Sequence, residues 1–119
     1  MVKYKENSEN NIVEICVDSK ITKTDFEQIS TQLKASIQKH GKLRLLEEVH
    51  RYHYTESIML LKDILFGLSP TSDFTHAALV TDAKWIPTYL KAINNVLSTK
   101  VKAFESAEID EARLWLTNS

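Results

Sequence analysis

The chain has 119 residues, 43% of them hydrophobic, which predicts one globular domain spanning residues 1–119. Its 15 basic and 16 acidic residues give a formal charge of −1, so no general basic field would attract it to nucleic acid. We therefore expect no nucleic-acid partner. With only two glycines and two prolines, the chain has no glycine-rich phosphate loop and no flexible linker.

Cysteine content and hydropathy predict a cytoplasmic location. Cys16 is the single cysteine and lies in an apolar run, so we expect a buried structural thiol in a reducing compartment. The first ten residues lack the apolar region of a signal peptide. No window approaches the roughly 18 apolar residues of a membrane span. Any contact with a membrane would therefore be peripheral.

The first half of the chain predicts a hairpin, a helix and a central strand. Residues 2–5 alternate apolar and polar side chains, and residues 12–17 form a stronger strand, which together predict an antiparallel pair near a sheet edge. Thr24 and Glu27 have the spacing of a capping box, and Gly41 is expected to end the helix that follows. Residues 43–49 then form a central strand.

The second half predicts three helices that alternate with two strands. Residues 56–68 form a helix that ends before Pro70, and residues 76–81 form a short strand of the buried, parallel type. A third helix starts at Ile86, residues 101–104 form the last strand, and Ser106 caps the closing helix. The predicted fold is α/β, with a mostly parallel five-stranded sheet and four helices connected by right-handed crossovers.

Four segments in this order resemble the SpoIIAA-like proteins, relatives of the STAS domains. They are VDSKITKTDFEQI, GKLRLLEE, AALVTDAKWI and VKAFESAEIDEARLWL. The resemblance covers nearly the whole chain from Ile12 onward. It implies a single SpoIIAA/STAS-like α/β domain whose strand–helix units coil into a superhelix. The nearer relatives, which share the WL ending, imply binding of lipid or another apolar ligand and association with a membrane surface.

The same resemblance implies a phosphorylation site at the start of the second helix. STAS relatives that antagonise anti-sigma factors carry a phosphorylatable serine there, in an Asp-Ser-Ser or Asp-Ser-Thr context. In this chain the position reads HYTES, so Thr55 and Ser57 are the corresponding acceptors, and the preceding aspartate is absent.

The predicted helix over residues 56–68 has more apolar side chains than one sheet-facing stripe needs. Packing on a sheet would leave Met59 and Phe66 uncovered. One explanation is a deeper core or a homodimer contact. The other is a cleft for an apolar ligand or a surface that faces a membrane or a partner, to which flexible methionine is well suited.

Aromatic residues cluster where two predicted strands end. Ligands in open α/β sheets bind outside the carboxyl ends of the strands. Tyr52 and Tyr54 follow the central strand, and Trp85 and Tyr89, four residues apart on a helix, follow the next one. With Ile58, these residues form the predicted ligand-binding set.

Titratable residues near the same strand end do not define a catalytic or metal site. Glu47 and Glu48 alternate along a strand, so at most one of them can point into a given cleft. His50 and His53 have no third ligand in their segment, whereas zinc sites need three or four. We therefore predict no metal, no cofactor and no catalytic residue.

Four lysines suggest a local basic patch near the aromatic residues. Lys84 and Lys91 lie on one helix, and Lys100 and Lys102 lie on one side of the last strand. Such a patch would attract anionic lipid headgroups, or it would be an ordinary solvated surface. Asp82 is expected to cap the helix that follows it.

These observations favour a non-enzymatic binding module. The leading hypothesis is a site for a small apolar or amphipathic, lipid-like ligand, with association at a membrane surface. The alternative is a STAS-type protein-interaction switch controlled by phosphorylation of Thr55 or Ser57. An enzyme is the third hypothesis, and no nucleophile–base pair supports it.

Overall fold

Five strands form one sheet in which each strand lies beside the next in the sequence. The computed structural model describes residues 2–7, 11–17, 21–49, 59, 74–94 and 99–118. The strands are β1 (Val2–Asn7), β2 (Ile12–Val17), β3 (Leu43–Val49), β4 (Phe74–Val80) and β5 (Lys100–Phe104). Strand β1 runs antiparallel to β2, and the other neighbouring pairs are parallel.

The sheet is mixed, whereas the sequence predicted a mostly parallel one. The difference is β1, which only residues 8–11 separate from β2. A parallel pair needs a crossover of a dozen or more residues, so this short connection allows only an antiparallel hairpin. The predicted antiparallel edge pair and the predicted number of strands are confirmed.

Helix α1 (Lys23–His40) is capped by Thr22, two residues before the predicted cap Thr24. The Thr22 hydroxyl accepts a hydrogen bond from the Asp25 N–H at 3.1 Å, and the Asp25 carboxylate accepts one from the Thr22 N–H at 3.0 Å. These reciprocal bonds are a capping box. The prediction that Thr24 and Glu27 form the box is therefore wrong.

Packing explains this early start, and a glycine defines the opposite end of α1. With Thr22 as the cap, Ile21 and Phe26 occupy the two positions of a hydrophobic staple, and both pack against the core. At the other end Gly41 has a φ of 80°, and its N–H donates to the Ile37 carbonyl at 2.8 Å. Gly41 therefore ends the helix as predicted.

The helices lie on both faces of the sheet. Helices α1 and α2 (Ile86–Asn94) pack on one face, and α3 (Ile109–Thr117), which follows a 3₁₀ turn (Ser106–Glu108), packs on the other. The core on the α1/α2 face includes Val13, Ile15, Ile29, Leu33, Leu45, Leu79, Ile86 and Leu90. The core on the α3 face includes Ile12, Leu46, Ala78, Val80, Phe104, Ala112 and Leu116.

The described residues contain three α-helices, whereas four were predicted. The remaining predicted helix, over residues 56–68, lies outside the described residues except for Met59, which is helical. Within the described part of the chain, no helix is long and apolar enough to cross a membrane.

Candidate functional site

Strands β4 and β5 end side by side, and the chain then leaves the sheet toward opposite faces. It continues into α2 on one face after β4 and into α3 on the other face after β5. The Thr81 N–H donates to the Phe104 carbonyl at 2.8 Å and holds the two strand ends together. Such a divergence opens a crevice at the carboxyl ends of the strands, where α/β proteins bind ligands.

Asp82 connects the two strand ends through its carboxylate. This group accepts hydrogen bonds from the Ser106 N–H at 2.9 Å and from the Ser106 hydroxyl at 2.7 Å. Both bonds favour the ionised form and lower the pKa of Asp82. The sequence predicted that Asp82 and Ser106 would each cap the helix that follows them. Instead, their side chains bind each other, because the two strand ends are adjacent only in the folded chain.

A cleft of about 220 Å³ lies between the start of α2 and the end of β5. Its lining includes three acidic residues, Asp82, Glu105 and Glu108, and one basic residue, Lys84. The Glu108 carboxylate accepts a hydrogen bond from the Glu105 N–H at 2.9 Å. The rim of the cleft is therefore net negative, and two of its carboxylates already have hydrogen-bond donors.

Trp85 and Tyr89 contact each other on the other flank of α2. Their ring centroids are 6.3 Å apart at an interplanar angle of 73°, an edge-to-face arrangement. Lys84 of the preceding turn and Pro87 of α2 line the cleft, whereas Trp85 and Tyr89 do not. The aromatic pair is therefore separate from the cleft.

The solvent-facing side of α2 combines an exposed indole with two lysines. It consists of Lys84, Trp85, Thr88, Lys91 and Ala92, all of them exposed, and we call it the α2 outer face. Spacings of three and four residues bring these side chains onto one side of the helix and its preceding turn. Residues 83–94 include no aspartate or glutamate. Neither lysine forms an ion pair with a residue that the structure describes.

Glu47 is buried in the middle of the sheet. It lies on β3 between Ile15 of β2 and Leu79 of β4, on the α1/α2 face, and it has no solvent exposure. Neither carboxylate oxygen has a hydrogen-bond partner among the described residues. Burial raises the pKa of Glu47 well above its ordinary value. Glu48 lies on the opposite face and is half-buried, in agreement with the predicted alternation.

The predicted basic patch divides between the two faces of the sheet. Lys84 and Lys91 belong to the α2 outer face. Lys100 and Lys102 alternate with Val101 on β5 and share the α3 face with Phe104, and the Lys102 ammonium lies 5.1 Å from the centroid of the Phe104 ring. The structure therefore does not bring all four lysines together.

Several predicted site residues fall outside the described part of the chain. They are His50, Tyr52, His53, Tyr54, Thr55, Ser57, Ile58 and Phe66. Met59 is described, and its side chain is 59% exposed. Among the described residues, no group of three or more histidine, cysteine, aspartate or glutamate side chains could hold a metal ion.

Three features of the site were missed by the sequence analysis. Thr88 and Ala92 could have been assigned to the outer face, because they follow Lys84 and Trp85 at helical spacing. The burial of Glu47 had a weaker signal, its alternation with Leu45 and Val49 on β3. The Asp82–Ser106 contact had no local signal.

The fold and the site define a small α/β domain with helices on both faces of a mixed sheet and an exposed aromatic–cationic helix face. The family model described as SpoIIAA-like matches residues 12–117, so the chain belongs to the SpoIIAA-like family. This match confirms the resemblance seen in the sequence. No curated protein and no solved structure was found to match the chain.

Proposed function

We propose that the chain is a non-enzymatic protein-interaction module that binds its partner through the α2 outer face. The observation that carries this proposal is the exposure of Trp85, which is 51% exposed in the turn directly before α2. Tryptophan is enriched among residues that dominate binding energy, because it buries a large rigid surface.

The packing of α2 against the core supports the proposal. Ile86 is fully buried and Leu90 is nearly so, and both pack in the core on the α1/α2 face. Tyr89 packs against the same core and contacts the Trp85 ring. The indole therefore projects from a helix that is already fixed. Binding to such a preorganised surface loses little conformational entropy.

A lipid-like ligand is the second candidate function. It would use Tyr52, Tyr54 and Ile58 together with Trp85 and Tyr89, and the 59% exposure of Met59 supplies a further apolar group. A peripheral membrane contact through Met59, Phe66, Lys84 and Lys91 belongs to the same candidate. The exposure of Trp85 favours a protein partner, because a small-molecule site is a concave pocket that encloses most of its ligand, whereas this indole projects into solvent.

Phosphorylation at Thr55 or Ser57 would make the module a switch of the STAS type. A phosphate at a helix start is favoured by the helix dipole and adds about two negative charges. Intact mass of protein purified from its own cells tests this part of the proposal. A phosphate adduct that maps to Thr55 or Ser57 supports it, and unmodified protein under all growth conditions contradicts it.

Site-specific photo-crosslinking tests the proposed interaction surface. A photoreactive side chain at Thr88 should crosslink a protein in the native host, and the partner identified by mass spectrometry should then bind the purified chain. Trp85→Ala should weaken that binding by about tenfold or more, as expected for a central aromatic contact. Leu114→Ala is the matched control, because Leu114 is 60% exposed and lies on α3.

Native mass spectrometry followed by organic extraction separates the two candidates. An adduct with the mass of a lipid or fatty acid on the purified protein, lost in Trp85→Ala, would replace the protein-interaction proposal with the ligand-binding one. A clean homodimer without adduct that survives Trp85→Ala would instead assign self-association to another surface.

A further inference from the structure

We infer that the partner presents an acidic protein segment to the α2 outer face. This inference rests on the proposed function and adds the chemistry of the partner. Lys84 and Lys91 flank Trp85 and Thr88 on this face, and both lysines are exposed. Carboxylates of a bound segment would pair with the two lysines while an apolar side chain of the segment covers the indole.

The charge of α2 supports this inference. No acidic residue occurs among residues 83–94, so nothing on the helix itself neutralises the two lysines. Charge complementarity steers association and excludes partners of the same charge. A second copy of the chain docked face to face through α2 would place lysines against lysines, because a two-fold interface pairs a patch with itself. The outer face therefore suits a different, acidic chain.

A flat anionic membrane fits this surface less well than a peptide segment. Helix α2 has nine residues, which corresponds to a length of about 14 Å. At its N-terminal end lies the net negative cleft rim with Asp82, Glu105 and Glu108. A bilayer that contacts the whole helix would also approach these carboxylates, and anionic headgroups would repel them. Lys84 also lines this cleft, but a peptide is narrow enough to contact Lys84, Trp85 and Lys91 while its remaining carboxylates point away from the rim.

The two tryptophans provide the readout for a direct test. Trp85 lies on the outer face, whereas Trp115 lies on the α3 face in contact with Phe104 and His76. The two indole N–H signals in a nitrogen–proton correlation spectrum of the full chain therefore report on the two faces separately. The probe is a peptide of leucine, aspartate and glutamate of about 12 residues, roughly three helical turns. Its charge-inverted counterpart has lysine at each acidic position.

The acidic peptide should shift the Trp85 signal and leave the Trp115 signal unchanged. The lysine peptide should shift neither tryptophan signal. Lys84→Glu combined with Lys91→Glu should weaken binding of the acidic peptide by about tenfold or more. The matched control is Lys23→Glu combined with Lys34→Glu, which changes net charge equally through exposed lysines of α1. Thermal unfolding of each variant confirms that it is folded.

Four results would overturn the inference, and the last of them leaves the proposed function intact. The first is an unmoved Trp85 signal at millimolar acidic peptide, and the second is equal binding by the two double variants. The third is a Trp85 response to vesicles of phosphatidylglycerol and phosphatidylcholine without a response to the acidic peptide, which would identify a membrane surface. The fourth is a crosslinked partner whose binding requires Trp85 but does not change with salt or with the double variant Lys84→Glu and Lys91→Glu. This result would leave the proposed function intact and show only that the partner segment is not acidic.

Discussion

Arg113 on α3 and Glu14 on β2 are 99 positions apart in sequence, and their side chains form a bidentate ion pair. The Arg113 Nε donates to one Glu14 carboxylate oxygen at 3.0 Å, and Nη2 donates to the other at 3.0 Å. The hydrogen bond to Glu14 is the largest cause of a raised pKa for Arg113. This pair attaches the C-terminal helix to the second strand, across the face of the sheet that carries α3.

We expect Arg113→Lys to destabilise the fold although the charge is retained. Lysine cannot reproduce the two parallel hydrogen bonds of the guanidinium group. The Arg113 side chain is 43% exposed, so solvent screening limits the expected loss to about 0.5–1 kcal/mol in the free energy of unfolding. Urea unfolding measures it. In a double-mutant cycle with Glu14→Gln, strictly additive losses would show that the pair contributes nothing.

Replacing Glu47 by leucine should stabilise the protein at neutral pH. The buried carboxylate lacks hydrogen-bond partners among the described residues and lies between apolar side chains. Removing an unsatisfied buried polar group is worth about 1–3 kcal/mol. Denaturant unfolding of Glu47→Leu at pH 7 measures this gain. A loss of stability would show that the carboxyl group has a partner or a structural role.

The pH dependence of stability gives a separate test of Glu47. Burial raises its folded-state pKa above the ordinary value of 4.5, so the unfolded chain releases this proton at lower pH than the folded chain does. Stability from this group is therefore highest below pH 4.5 and falls as pH rises toward the folded-state pKa. Glu47→Gln should flatten this part of the profile. A profile that Glu47→Gln leaves unchanged would contradict a raised pKa for this group.

Gly41→Ala should destabilise the fold even though nothing surrounds the added methyl group. An ideal Cβ at Gly41 meets no atom within 4 Å, so the cost comes from the backbone alone. Its φ of 80° and ψ of −135° belong to a region that residues other than glycine rarely adopt. The expected loss is about 1–3 kcal/mol. Lys42→Ala, next in the chain and exposed, is the control, and an equal effect of both changes would contradict this explanation.

Fluorescence quenching should distinguish the two tryptophans. With Trp115→Phe, emission comes from Trp85 alone, which is 51% exposed and lies beside Lys84. Iodide should quench this emission more efficiently than caesium, because the two lysines of the outer face attract the anion. With Trp85→Phe, emission from the packed Trp115 should respond less to both quenchers. Equal quenching of Trp85 by the two ions would contradict the positive charge of this face.

Residue patterns close in sequence were sufficient to predict the five strands and the three helices that the structure describes. The apolar run of β2 and the glycine after α1 gave the right strand and the right helix end, because backbone geometry and capping depend on neighbours within a few positions. The prediction of a Thr24–Glu27 capping box was wrong because local spacing alone allows two boxes. Thr22 and Asp25 have the same local spacing, and only the packing of Ile21 and Phe26 against the core selects between the two.

Only the tertiary structure decided how the candidate site is assembled. The sequence by itself determined that α2 and the turn before it carry Trp85, Tyr89 and two lysines, since spacings of three and four residues bring them close together. It could not show that Asp82 would bind Ser106 24 positions away, or that Lys102 would lie on the opposite face of the sheet. Strand order and crossover direction set those contacts, and both depend on long-range packing that no local pattern encodes.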